Sequence, residues 1–93
     1  MDDISSMRGE IDSIDEKLVE LFEKRMEIVL RVAKYKRDNN MEVADSSRES
    51  EVIKKSVKRL QDKRFEKSLK YFMEYIMKLS RDMEHELMDN FEH

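Results

Sequence analysis

The chain has 93 residues, of which 44% are charged and 39% hydrophobic, and its formal net charge is −3. This length is enough for one small domain, expected to span residues 1–93. Cysteine is absent and only two histidines occur, which excludes a disulfide framework, a thiolate metal site and a histidine-rich metal centre. The two charge signs are interspersed without a basic footprint, which argues against nucleic acid as a partner.

Membrane and export signals are not recognised in the sequence. No apolar run approaches the roughly 20 residues that span a bilayer, so no membrane partner is expected. Residues 1–5 lack the basic-then-apolar order of a signal peptide. We therefore expect a cytoplasmic protein.

The composition favours helix throughout. Proline is absent and glycine occurs once, so the chain has little turn chemistry and few possible reversals. The most abundant residue types, Lys, Glu, Arg, Met and Leu, are all good helix formers. The sequence predicts an all-α fold of three helices: one very long, one short and one medium.

The first helix is predicted over about residues 3–39, where apolar residues recur at steps of three and four. At about 1.5 Å per residue it would be about 50 Å long. A helix of this length projects beyond any core that its own chain can supply, so its free end needs a partner. Asn39 and Asn40 interrupt the pattern and are expected to supply a left-handed cap.

The second helix is expected to begin at Ser46 or Ser47, each a good N-cap, and to end near residues 61–63. The third is expected over about residues 64–88, with residues 89–93 as a frayed tail.

Ser46 and Glu49 fit a capping box, in which the Glu49 carboxylate would bond back to the backbone amide of the N-cap residue. This structural role competes with any ligand role for Glu49.

Two cations interrupt the apolar stripe of the first helix. Arg25 lies three or four residues from apolar positions, and Lys36 follows Val32 by four. Eleven residues separate the two cations, so they lie on one face, about 16 Å apart along the axis. A half-buried cation is unfavourable unless an anion meets it. Either cation alone would be expected to extend its head to water, but the pair favours a shared small dianion.

Arg8 lies at the edge of the same stripe, seventeen residues from Arg25, or about 25 Å along the helix. It therefore cannot reach the same small ligand from its own chain. Either it contributes from a second subunit packed antiparallel, or it is an ordinary surface arginine.

Polar residues also mark the other two helices. Arg48 would oppose the dipole of the second helix, which indicates a local anion, with a surface arginine as the alternative. Asp45 would cap that helix or orient Arg48. Ser80 interrupts the stripe of the third helix, where serine often bonds to its own backbone. Glu84 follows Ser80 by four, and because buried Glu is rare unless paired, nearby cations are expected.

These residues, in this order, resemble the all-helical chorismate mutases over about residues 4–87. Residues 7–18 are similar to the family's opening, Leu-Arg-x-x-Ile-Asp-x-Ile-Asp-x-x-Leu. Arg25 and residues 32–36 follow, and residues 43–49 resemble the family's Asp-x-x-Arg-Glu signature. Together these stretches are specific, whereas each alone is weak.

The resemblance implies an intertwined homodimer in which the long first helices cross between subunits. It also implies rearrangement of the dianion chorismate to prephenate, toward phenylalanine and tyrosine, without a cofactor or covalent intermediate. Such an enzyme holds a near-reactive conformer and stabilises charge on the breaking ether oxygen. Because no second domain is recognised, a stand-alone, monofunctional enzyme is expected.

By resemblance, Arg25 and Arg8 of the partner subunit would bind the two substrate carboxylates. Lys36 would donate to the ether oxygen and to a carboxylate. Arg48 would help to orient the site.

The remaining roles are also implied by resemblance. Glu49, with the backbone near Asp45, would bind the ring hydroxyl, and Ser80 would touch a carboxylate. Glu84 stands where many members carry Gln and some carry Glu, and it would be the second donor to the ether oxygen. Only a protonated Glu can donate, so activity is predicted to weaken as pH rises, and Glu84→Gln to flatten that dependence.

Two other functions stay open. A lyase of the same fold that removes pyruvate from isochorismate would use nearly the same basic site, although Glu49 and a donor at Glu84 favour the mutase. A non-catalytic helical interaction module would explain the stripe and the length of the first helix. It would not explain Arg25, Lys36 and Glu84 on apolar faces.

Overall fold

The computed structural model describes residues 3–91, with side chains described as far as residue 89. Three α-helices and one 3₁₀ turn follow in the order α1 (Ile4–Asp38), α2 (Ser46–Arg59), the 3₁₀ turn (Lys63–Phe65) and α3 (Glu66–Phe91). No strand occurs in residues 3–91, and the predicted all-α fold is confirmed. No helix in this range is long and apolar enough to cross a membrane.

α1 carries a cap at each end. Asp3 is the N-cap, and its carboxylate accepts a hydrogen bond from a backbone N–H of the first turn. At the other end, Asn40 adopts a left-handed conformation with φ of 54°. The backbone N–H groups of Asn40 and Met41 donate to the carbonyls of Arg37 and Lys36, which is the Schellman arrangement. The predicted left-handed cap is confirmed.

At the start of α2, the prediction that Asp45 caps the helix is confirmed, and the prediction of a serine cap is wrong. Asp45 is the N-cap, and its carboxylate accepts a hydrogen bond from the Arg48 backbone N–H at 3.0 Å. Ser46 and Ser47, predicted as caps, are the first two residues of the helix instead. A carboxylate at this position also complements the positive end of the helix dipole, which favours Asp45 over a neutral serine.

The ends of α2 and α3 also differ from the prediction. α2 ends at Arg59, slightly before the predicted boundary, and the next turn is capped by Asp62, which accepts from the backbone N–H of Arg64. α3 continues to Phe91, so residues 89–91 are helical rather than part of a frayed tail. The last two residues of the predicted tail lie outside the described residues.

The chain is elongated rather than spherical. α3 packs against both α1 and α2, and the molecule measures 57 × 25 × 14 Å. Its radius of gyration is 16.8 Å, compared with about 12 Å for a compact domain of this length. Its accessible surface is 8012 Å², compared with roughly 5,700 Å² for a folded monomer of this mass. A single chain therefore leaves an unusually large surface uncovered.

Few side chains of the described residues are buried, and large apolar side chains are exposed along much of the molecule. The buried side chains include Ala33, Val43, Met77, Ser80 and Glu84, around the C-terminal half of α1 and the second half of α3. The apolar stripe on the N-terminal half of α1 is exposed, and it consists of Ile4, Met7, Ile11, Ile14, Leu18, Leu21 and Phe22. We call these seven residues the exposed stripe.

Candidate active site

A cleft of about 280 Å³ lies where the C-terminal half of α1, the start of α2 and the second half of α3 approach one another. Its apolar walls include Ile28, Val29, Val32, Val43, Val52 and Met77. Its polar lining consists of Arg25, Lys36, Asp45, Arg48, Glu49, Ser80, Arg81 and Glu84. The structure thus brings seven of the eight predicted site residues to one place, together with one residue that was not predicted.

Lys36 and Glu84 form the most buried ion pair of the cleft. The Lys36 Nζ lies 3.1 Å from the Glu84 Oε1, and the two side chains are 15% and 7% exposed. The Lys36 Nζ also donates a hydrogen bond to the Val43 carbonyl oxygen at 2.9 Å, which links α1 to the segment before α2. The prediction that Glu84 pairs with a cation is confirmed.

The Glu84 Oε1 is buried, yet it accepts no hydrogen bond from the described residues. The nearby Lys36 ammonium supplies charge at short distance but not an aligned donor. A buried carboxylate oxygen without a hydrogen bond is unfavourable. This atom therefore retains capacity for a proton or for a donor group of a bound molecule.

Arg25 and Ser80 form a second connection between α1 and α3. The Arg25 Nη1 donates to the Ser80 Oγ, and the Ser80 hydroxyl donates to the Ile76 carbonyl at 2.9 Å. Ser80 thus bonds back to its own helix, the structural role considered for it, and also orients Arg25. Since an arginine carries five N–H donors, this bond fixes the guanidinium at the cleft wall and leaves other donors for a carboxylate.

At the start of α2, local partners occupy Asp45 and Arg48. The Asp45 carboxylate caps the helix, and the Arg48 Nη1 donates to the Glu51 Oε1 at 3.1 Å. The anion expected beside Arg48 is therefore a carboxylate of its own helix. The pKa of Glu51 is lowered first by the hydrogen bond from Lys55, and then by the charges of Lys55 and Arg48.

The capping-box prediction for Glu49 is wrong. Because Asp45 rather than Ser46 is the N-cap, Glu49 lies one position too far along the helix for that box. Its carboxylate accepts a hydrogen bond from the Arg81 Nη1 of α3 instead, across 32 positions of sequence. The Glu49 side chain therefore lies at the cleft rather than at the helix end.

Arg81 is the cleft residue that sequence reasoning missed. A weak signal exists, since Arg81 follows Met77 by four residues and precedes Glu84 by three, which places it beside the stripe of α3. An arginine at the edge of a stripe is normally a surface residue. Arg81 differs from a surface arginine only because α2 packs beside it and brings Glu49 within reach.

Arg8 does not lie at the cleft. It is exposed near the start of α1, and the cleft begins at Arg25. Because α1 is one continuous helix, the two residues are about 25 Å apart along its axis. The contribution of Arg8 from a partner subunit stays a prediction.

The cleft combines four cationic side chains with carboxylates on apolar walls. Such a lining, with a few polar groups on apolar walls, is typical of small-molecule sites. Within residues 3–91, no group of three or more His, Cys, Asp or Glu side chains is arranged to hold a metal ion.

The fold and the cleft define an all-helical protein with a small cleft of mixed charge between its helices. A family model described as chorismate mutase type II matches residues 7–85, and the chain belongs to that family. The resemblance inferred from the sequence is therefore confirmed.

Two curated relatives match part of the chain. It is 40% identical over 53 residues to the bifunctional chorismate mutase/prephenate dehydratase of Buchnera aphidicola subsp. Schizaphis graminum (strain Sg), covering 57% of the chain and 14% of that protein. It is 39% identical over 49 residues to the T-protein of Haemophilus influenzae (strain ATCC 51907 / DSM 11121 / KW20 / Rd), covering 53% of the chain and 13% of that protein. The matches thus span about one seventh of these relatives. No solved structure matches the chain significantly.

Proposed function

We propose that this chain is an isomerase that converts chorismate to prephenate, in the cytoplasm, as a step toward phenylalanine and tyrosine. The observation that carries the proposal is the convergence of Arg25, Lys36 and Glu84 on one half-buried cleft, where their polar groups interrupt apolar walls. Membership of the chorismate mutase type II family supports the same reaction.

The reaction is a unimolecular rearrangement, so the protein needs no nucleophile and no cofactor. Its task is to hold the flexible substrate in a compact conformer in which the reacting carbons lie close together. In this proposal Arg25 and Arg8 of the partner subunit bind the two carboxylates, Arg48 helps to orient the site, and Ser80 touches a carboxylate.

Charge develops on the ether oxygen as its bond to carbon breaks, and donors directed at that oxygen stabilise the transition state. Lys36 is the proposed principal donor, since Glu84 and the Val43 carbonyl restrain its ammonium in a partly water-excluded position. Glu84 is the proposed second donor, a role that requires its carboxylate, paired with Lys36 in the free cleft, to take up a proton. Glu49 and the backbone near Asp45 are proposed to bind the ring hydroxyl.

The proposal includes a homodimer. The exposed stripe and the excess accessible surface support it, since a face this apolar on a small domain normally meets another surface. An antiparallel partner helix would also bring Arg8 of the partner subunit toward the cleft. A second copy of the chain would therefore both cover the stripe and complete the site.

The test is an assay with purified protein, chorismate and isochorismate in separate reactions. Loss of chorismate with formation of prephenate is the expected result. Release of pyruvate from isochorismate, without prephenate formation from chorismate, would support the lyase instead. Absence of both reactions in a folded protein would support the non-catalytic interaction module.

Subunit complementation tests the shared site. Arg8→Ala and Arg25→Ala are each expected to lower activity by at least about a hundredfold, because each removes a charge-assisted contact to the substrate. Mixed dimers would hold one intact site, so mixing equal amounts should restore about a quarter of the parent activity. Failure to recover activity, with mixed dimers confirmed by mass spectrometry, would rule out sharing of Arg8 across subunits.

A further inference from the structure

We propose that Arg81 is a positioning residue that orients the Glu49 carboxylate in the cleft. This inference rests on the proposed mutase function, in which Glu49 binds the ring hydroxyl of the substrate. It assigns Arg81 no contact with the substrate: the residue acts through Glu49.

The direct evidence is the bond between the two side chains. The Arg81 Nη1 on α3 donates to the Glu49 Oε1 on α2, and both residues line the cleft. The two side chains are 32% and 29% exposed, so the pair lies at the cleft margin rather than in the core. A Glu side chain in such a place would otherwise sample several rotamers, and the arginine restricts that freedom.

Other groups at the start of α2 do not supply this restraint. The Arg48 guanidinium, next along the chain to Glu49, donates to Glu51 instead. A capping box would have bonded Glu49 to the backbone N–H of an N-cap at Ser46. The N-cap is Asp45 instead, so no such bond restrains Glu49. Among the described residues, Arg81 is the cation bonded to the Glu49 carboxylate.

The distribution of ion pairs also favours a positioning role. Among the ion pairs in which both partners are described residues, two join separate helices, namely Lys36–Glu84 between α1 and α3 and Arg81–Glu49 between α2 and α3. Both line the cleft, whereas the others join residues at most four positions apart. The Arg81–Glu49 pair is partly exposed, and such pairs contribute little to stability, so its position across the cleft indicates that it sets geometry.

The test is a double-mutant cycle on kcat/KM for chorismate. The variants are Arg81→Met, which keeps much of the apolar stem and removes the charge, Glu49→Ala, and the double variant. We expect Arg81→Met to lower kcat/KM about tenfold, mainly through KM, because a misdirected Glu49 loses a binding contact. In the Glu49→Ala background the same substitution should change kcat/KM less than twofold, since the residue through which Arg81 acts is gone.

Two controls accompany the cycle. Arg81→Lys should retain most of the activity, because a shorter cation can still pair with Glu49. Lys78→Met removes an exposed cation and its pair with Asp82 on the same helix, outside the cleft, and should leave kcat/KM unchanged. Circular dichroism and thermal melting confirm that each variant is folded.

The outcomes separate this inference from the proposed function. If the parent is active and the losses of kcat/KM from the two substitutions add in the double variant, the positioning role is overturned. That result would indicate that Arg81 binds the substrate directly. An active parent with an unaffected Arg81→Met variant would also overturn it. A folded parent that does not convert chorismate would refute the mutase function, and the positioning role with it. Non-additive losses with an unaffected Lys78→Met variant would support the inference.

Discussion

The two halves of α1 carry one continuous apolar pattern but have different surroundings. In the N-terminal half, over residues 4–22, the stripe consists of apolar side chains that α2 and α3 leave exposed. In the C-terminal half, over residues 25–38, the stripe is interrupted by Arg25 and Lys36, and both cations find polar partners on α3. The half that carries the two cations is also the half that contains Ala33, the buried residue of α1.

We propose that the stripe serves two purposes along one helix. Fully burying a large apolar side chain is worth about 1.5–3 kcal/mol, so the seven residues of the exposed stripe could together outweigh the loss of freedom on association. The C-terminal half gives up part of that apolar burial to hold charged groups in a cleft. We infer that the first half of α1 serves assembly and that the second half serves the site.

The largest expected effect comes from Lys36→Met in the C-terminal half. It removes the proposed donor to the ether oxygen, so kcat should fall by up to about a thousandfold. It also leaves Glu84 buried without its cation, which should lower the free energy of unfolding by about 3 kcal/mol. A chorismate assay and urea unfolding measure the two effects.

Two further variants separate activity from stability in this experiment. Adding Glu84→Leu should recover the free energy of unfolding without recovering activity. Lys34→Met, an exposed position on the same helix, should change neither quantity. A Lys36→Met protein that is stable and active would show that the two halves do not differ in function.

A charge in the exposed stripe tests the proposed role of the N-terminal half of α1 in assembly. Ile14→Glu should convert the dimer to a monomer and lower activity about a hundredfold, because a monomer lacks Arg8 of the partner subunit. Light scattering coupled to size-exclusion chromatography gives the mass. Glu16→Lys, on another face of α1, is the matched control and should remain dimeric. An unsubstituted protein that is monomeric and active would contradict the proposed role of the N-terminal half of α1 in assembly.

The pH dependence of kcat tests the proposed role of Glu84, the ion-pair partner of Lys36. If the protonated Glu84 donates to the ether oxygen, raising the pH removes the donor and kcat falls. Glu84→Gln keeps a donor at every pH, so its profile should be flat, and it should exceed the parent by about tenfold at the alkaline end. Glu86→Gln, exposed on the same helix, should keep the parent profile. Identical profiles for Glu84→Gln and the parent would contradict the role.

The smallest expected effect, on the free energy of unfolding, concerns the cap at the C-terminal end of α1. Asn40 holds a left-handed conformation, which glycine adopts without strain and alanine does not. Asn40→Gly should change the free energy of unfolding by less than about 0.5 kcal/mol, whereas Asn40→Ala should lower it by about 1 kcal/mol. Urea unfolding of the two variants side by side measures the difference. Equal stabilities would show that this cap does not constrain the end of α1.

Much of this architecture was predictable because helical geometry is local. The spacing of Arg25 and Lys36 determined that they share a face, since the helical period depends on the backbone alone. The length of α1, its left-handed cap at Asn40 and the all-α class follow from residues adjacent in sequence. The dependence of the first helix on a partner was also predicted from its length, but no structural observation of a single chain tests it.

Only the tertiary structure decided which groups meet across helices. The partner of Glu49 is Arg81, 32 positions away, and one partner of Lys36 is the backbone carbonyl of Val43. Such contacts depend on how α2 and α3 pack, and the helical period of each segment does not determine that packing. Every residue has a backbone carbonyl, so the residue type of Val43 gives no hint of its bond to Lys36. The choice of Asp45 over Ser46 as the N-cap was beyond sequence for a related reason, since several adjacent residues can all cap a helix. The sequence therefore determined which side chains share a helix face, and packing decided their partners.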